Sequence, residues 1–329
     1  MNKKRFGLVT ATVGVIGIVT AVSLYIGVRY APAYFAVKFA PAKTAQAATD
    51  VDARAARALF WQTFENGRYD ESPQAISRLT FAYIQNPRDP ETTLLLGLAH
   101  LWRLGERARL TQRDPRITEH AVLAEKYLKE AHRLAPDDAR IPGWLGSVQL
   151  ALGKIDQNEK LVRAGYFTLR DGVRDFPEFN AFTLGYALSR LPATDPKYRE
   201  AVDYMWTSLR TCRQLDPNSV DEGRFLSAAD APDAVRACWN GPKAPHNIEG
   251  FFLNMGDMLV KAGDVALARK IYRYAELSPT YAQWQYKDVL EQHSRDADAR
   301  AARFRDPDPD NDPAMMIDAA YDCMACHQK

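Results

Sequence analysis

One spacing recurs five times along the chain and dictates most of what it can become. Ala75, Leu79, Ala82 and Pro87 stand at offsets of four, three and five, and Ala124, Leu128, Ala131 and Pro136 repeat them. Gly165, Leu169, Gly172 and Pro177 keep the frame, as do Met205, Leu209, Cys212 and Pro217. In the fifth copy, Ala268, Tyr272, Ala275 and Pro279, the proline comes one residue early. Residues at i, i+4 and i+7 share one face of an α-helix, so each copy offers small positions that admit a neighbouring helix and a large one that fills its groove. The proline then closes the helix. From about Asp50 to Ser294 apolar residues keep three-and-four spacing, with Pro and Gly punctuation and no sustained alternation. The expected class is therefore all-α.

Each copy needs a partner helix upstream. Leu96-Gly97, Leu145-Gly146, Leu184-Gly185 and Met255-Gly256 supply a large-small step at which two helices cross closely, and only the first copy lacks one. Gly256 precedes Ala268 by twelve residues, the spacing of a tetratricopeptide unit. On these residues the body, 51–294, resembles the tetratricopeptide-repeat family. Its terminal prolines stand 40 to 62 residues apart, against a family period of about 34, so insertions are expected. The resemblance implies an α-solenoid of helix pairs with a concave surface that binds proteins or peptides, and it says little about chemistry. Trp61, Trp102, Trp144, Trp206, Phe251 and Tyr272 are read as inter-helix core, and so is His100, three residues after Gly97.

The N-terminus reads as a membrane segment. Lys3, Lys4 and Arg5 precede an uncharged stretch from Phe6 to Val28, which as a helix at about 1.5 Å per residue crosses a hydrocarbon core of about 30 Å. Basic residues stay cytoplasmic, so the expectation is a transmembrane anchor over 1–30, a linker over 31–50 and a body facing the periplasm from a bacterial inner (cytoplasmic) membrane. A cleaved signal peptide is the alternative, with Ala31-Pro32-Ala33 and Ala45-Gln46-Ala47 as small-x-small sites. Both readings put the body outside the cytoplasm. With 43 Lys and Arg against 41 Asp and Glu, the net charge of +2 creates no field for nucleic acid.

Beyond Ser294 the composition changes. Residues 295–313 alternate acid, base and alanine and then run Asp-Pro-Asp-Pro-Asp-Asn-Asp-Pro, which reads as a polar tether. The segment 314–329 follows, and it holds Cys323-Met-Ala-Cys326-His327. This is the attachment motif of c-type cytochromes, in which two thiols add to the haem vinyl groups and the histidine ligates the iron. One covalent haem c is expected, held by Cys323, Cys326 and His327, with His327 as axial ligand. For the opposite ligand Met315, Met316 and His246 are candidates, and the sequence does not choose among them. A thiol-disulfide site, half a zinc site or a plain disulfide are the other readings of the pair, but no βαβ pattern and no second ligand pair accompany it. Cys212 and Cys238 form a candidate disulfide in an oxidising compartment. Ordinary cytochrome c domains wrap the haem with helices that follow the motif, whereas here Gln328 and Lys329 follow. Cover is thus expected from the repeats or from a partner.

Taken together, these features describe a membrane-anchored, extracytoplasmic c-type cytochrome subunit. It would be an electron relay, not a catalyst, docked through its repeats to a larger membrane protein complex and to redox partner proteins. The alternative is a repeat scaffold or assembly factor with a structural or regulatory haem. No distal acid-base pair near the motif argues for catalysis.

Overall fold

A computed structural model describes residues 43–112, 115–213 and 246–327, without the side chains of Cys212, Arg213 and Pro309. The anchor expected over 1–30, most of the linker and Pro217 lie outside the described residues. So do Cys238 and the Cys212 side chain, and with them the candidate disulfide. Among the described residues every regular element is helical, and no helix is long and apolar enough to cross a membrane.

Ten of these helices form five consecutive pairs. They are α1 (Val51–Glu65) with α2 (Ser72–Gln85), α3 (Pro90–Gly105) with α4 (Glu119–Leu134), α5 (Ile141–Ile155) with α6 (Glu159–Asp175), α7 (Pro177–Leu188) with α8 (Pro196–Arg213), and α9 (Ile248–Ala262) with α10 (Val265–Ala275). Local chemistry starts and stops them. Asp50, Asp89, Asn158, Asn247 and Asp264 accept hydrogen bonds from first-turn amides of α1, α3, α6, α9 and α10. Gly263, at φ 90°, supplies the left-handed residue that turns α9 into α10. Helices α2, α4 and α6 end two residues before Pro87, Pro136 and Pro177, because the residue ahead of a proline is pushed out of the helical region.

The repeated spacing is the inter-helix seam. Ala75, Leu79 and Ala82, then Ala124, Leu128 and Ala131, then Ala268, Tyr272 and Ala275 are all buried, as are Leu169, Met205 and Leu209. Each large residue fills the space left by a glycine on the partner helix. A Cβ on Gly97 would lie 2.9 Å from Leu128, on Gly146 2.7 Å from Leu169, on Gly185 3.3 Å from Met205, and on Gly256 2.2 Å from the Tyr272 ring. The glycines are therefore sites of close helix approach. Successive first helices also touch, α1 on α3, α3 on α5 and α5 on α7, which gives a stack held by neighbour contacts. Trp102, Phe251 and Tyr272 are fully buried, and His100 is buried too, with its Nδ1 2.8 Å from His120 Nδ1.

The stretch 295–313 departs from the expected tether. Residues Lys287–Arg295 form α11 and Ala297–Phe304 form α12, which packs on α9. Ala297 and Ala301, four apart and buried, give α12 a small-residue stripe that lies flush on its neighbour. The buried Asp257 carboxylate of α9 then pins both helices, accepting from Tyr272 at 2.7 Å and His293 Nδ1 at 2.8 Å and facing Arg300 at 3.4 Å. Only the Asp-Pro run after Phe304 remains an exposed loop. Residues 315–327 then turn back into the stack instead of lying beyond it.

Candidate functional site

The segment that carries the two cysteines runs along the first helices of the pairs. It is fastened there by polar contacts to residues far away in sequence. Arg190, just after α7, donates to Ile317 O at 2.8 Å and to Asp318 at 3.0 Å. Arg109 donates to Ala320 O at 2.7 Å. Tyr186 of α7 donates to the Asp322 carboxylate. Glu106, which caps α3 and is 0% exposed, accepts the amides of Cys323 at 3.0 Å and Met324 at 2.8 Å through one oxygen, while its other oxygen lies 2.7 Å from Arg109 Nε. Trp284 Nε1 donates to Ala325 O at 2.9 Å, and the Asn247 amide donates to Cys326 O at 2.7 Å.

These anchors shape one helical turn, α13 (Met324–His327), in which the His327 amide bonds back to Cys323 O at 3.0 Å. Its apolar side chains are shared between two parts of the molecule. Met324 and Cys323 join the core of the first two pairs, whereas Ala325 and Cys326 join the core of the last pairs together with Met315, Met316 and Ile317. Two glycines make room for the turn. A Cβ on Gly250 of α9 would lie 2.5 Å from both Ala325 O and Cys326 Sγ, and one on Gly105 of α3 would lie 2.8 Å from the Asp322 carboxylate and 3.6 Å from Cys323 Sγ.

Burial sets the electrostatics here. It pushes both thiols up, with Asp322 adding to the effect. The Asp322 carboxyl is raised to about 7 by burial, against the pull of Arg190 and of the Tyr186 hydroxyl. Glu106 is raised as well, by burial, although Arg109 and the two amides draw it back. A reactive cysteine is a lowered, accessible thiolate; both thiols here are raised, Cys326 is buried and Cys323 is partly exposed. Among the described residues no three His, Cys, Asp or Glu side chains converge as a metal ion alone would need.

The predicted site residues thus come together in part. Cys323, Cys326 and His327 share one turn, and the ring that stands against His327 is that of His246, with centroids 6.0 Å apart and planes at 64°. Phe64 of α1 packs on His327 at 5.1 Å, and Phe182 of α7 stacks on His246 at 5.9 Å. Burial and the neighbouring His327 lower His246 to about 3, which leaves it neutral. Met315 and Met316 are buried in the core around α9 instead. Sequence reasoning missed Glu106, Arg109, Tyr186, Asn247 and Trp284. A signal for them was Gly105 and Gly250, two of the helical glycines that the repeat pattern leaves unexplained.

The residues present suit a c-type haem. Two thiols lie three apart on a single turn with an imidazole next to the second. Glycines on two helices leave room for the turn, Gly250 beside Ala325 O and Cys326 Sγ and Gly105 beside the Asp322 carboxylate and Cys323 Sγ, and aromatic rings flank the imidazole. Compared with the models of known protein families and with curated proteins, the chain matches none.

Proposed function

We propose that the chain is a membrane-anchored, extracytoplasmic c-type cytochrome subunit that relays electrons for a larger membrane complex. The observation that carries this reading is the care with which Cys323-x-x-Cys326-His327 is held. Four hydrogen bonds from three residues distant in sequence, Glu106, Asn247 and Trp284, and two Cβ-free surfaces converge on a turn that has no part in the repeat itself. Haem bound there through both thiols and His327 supplies one-electron redox chemistry. Glu106, Asn247 and Trp284 hold the backbone of the turn, which fixes the direction of the thiols and of the His327 ring. Phe64 and Phe182 pack against the imidazoles and cover one side of each, and cover of this kind is one of the levers that set a haem potential. His327 itself is partly exposed, so the site reaches the surface where a redox partner can approach.

The repeats keep their proposed role in docking, on a different face. The first helices are taken up by the chain's own C-terminal segment. Phe81 and Ile84 on α2, Val122 on α4 and Phe167 on α6 are large, apolar and exposed on second helices, and they support a partner surface there. A scaffold with a structural haem is the second reading. It is favoured by the way the turn joins the first and last cores, which a covalent cofactor would staple.

The test is a haem-stained denaturing gel and a reduced-minus-oxidised spectrum of membranes containing the full chain, with Cys323→Ala/Cys326→Ala beside it. Covalent haem in the parent and none in the variant is expected. A parent chain that carries no haem in a host competent for attachment overturns the reading.

A further inference from the structure

We infer that His246 is the second axial ligand, trans to His327, in the haem site proposed above; the assignment rests on that reading. A metal–imidazole bond is about 2 Å, and the nitrogen lies about 1.1 Å from the ring centre, so two imidazoles trans on one metal have centroids roughly 6 Å apart. The rings of His246 and His327 are 6.0 Å apart. Their 64° interplanar angle fits, because two rings that share one ligand axis are free to turn about it.

The separation is also built into the backbone. Asn247, next in chain to His246, donates its amide to Cys326 O at 2.7 Å, and Cys326 is next in chain to His327. The same Asn247 caps α9 by accepting from the Gly250 amide at 2.9 Å, and Gly250 is the surface on which Ala325 and Cys326 rest. One hydrogen bond thus sets the two histidines in register, with a single peptide step to each. Phe182 stacks on the far histidine and stiffens it.

The rival ligands are engaged elsewhere. Met315 and Met316 fill the core around α9. His100 and His120 face each other at 2.8 Å, and His293 holds Asp257. The competing account of the pair is plain edge-to-face packing, since 6.0 Å also falls in the ordinary range for aromatic rings.

Electron paramagnetic resonance and near-infrared magnetic circular dichroism of the oxidised full chain decide between them without any substitution. A low-spin haem with two imidazole ligands is expected, and a methionine sulfur ligand or a five-coordinate haem overturns the assignment. In His246→Ala the haem stain should persist while the spectrum turns high-spin and the reduced form binds carbon monoxide, which the parent does not. His246→Met should stay low-spin with a higher midpoint potential, as methionine ligation gives. Met315→Leu/Met316→Leu should match the parent. A His246→Ala protein that keeps the parent's low-spin spectrum also overturns the assignment. A chain without covalent haem sinks the function reading first and this assignment with it; a haem-bearing chain with sulfur ligation sinks this assignment alone.

Discussion

Gly250→Ala turns the seating of the C-terminal turn into a question of sign. In an open helix this change stabilises by about 1 kcal/mol, because alanine is the better helix former. At position 250 the new methyl would sit 2.5 Å from Ala325 O and 2.5 Å from Cys326 Sγ. The first of these is backbone, and it cannot swing aside while Trp284 and the Asn247 amide hold the turn. Overpacking costs about 1–3 kcal/mol, and a clash against pinned backbone belongs at the upper end, which leaves a net loss of about 2 kcal/mol after the helix gain. For a body of this size that is a fall in Tm of about 4–8 °C. Thermal unfolding of the body from residue 45 onward, followed by far-ultraviolet circular dichroism, measures it, and the yield of covalent haem should fall in parallel. A variant that is about 1 kcal/mol more stable than the parent, with its haem yield unchanged, would refute the docking of the turn on α9.

Glu106→Ala should strip the Cys323 and Met324 amides of a buried acceptor, at about 1–3 kcal/mol for each amide left unpaired. Their hydrogen exchange should then quicken by about 100-fold or more, with a smaller change for Glu106→Gln; unchanged exchange contradicts the clamp. For Asp322 the native carboxyl titrates at about 7 against an ordinary 3.8. Between those values the native state keeps a proton that the unfolded chain has released. This group's contribution is therefore full below about pH 4 and is lost as pH rises to about 7, by up to about 4 kcal/mol. In the Cys323→Ala/Cys326→Ala background, Asp322→Asn should flatten that slope in denaturant titrations, and an unaltered slope speaks against a buried, protonated Asp322. Asp257→Ala removes the shared partner of Tyr272, His293 and Arg300 and should cost about 3 kcal/mol or more. Rapid proteolysis in the loop after α12 would report it, and parental resistance there would show that α11 and α12 are held by other contacts.

The seams were legible because they are short-range. Leu128 and Gly97, or Tyr272 and Gly256, sit in adjacent helices, so a helical period and a small-large rule place them without knowledge of the whole. His100 was readable as core for the same reason, three residues from such a glycine. The seating of the tail was not legible. Glu106 and Cys323 are 217 residues apart, and no local pattern links a helix-capping carboxylate to two amides at that distance. The acidic Asp-Pro run also misled, because its polarity is real but ends at one exposed loop. The stripe of Ala297 and Ala301 beside it is the mark of a packed helix. His246 was indistinguishable from Met315 and Met316 in sequence, and what separates them is a backbone bond from Asn247 to Cys326.

The proposed electron relay requires one covalent haem on the Cys323–His327 turn. Intact mass spectrometry of the purified full chain, with peptide mapping of the segment that contains Cys323 and Cys326, tests it most directly. A chain heavier by one haem is predicted, with the added mass on that peptide and lost in Cys323→Ala/Cys326→Ala. A peptide with unmodified thiols, or one lighter by two hydrogens as a Cys323–Cys326 disulfide would be, contradicts it.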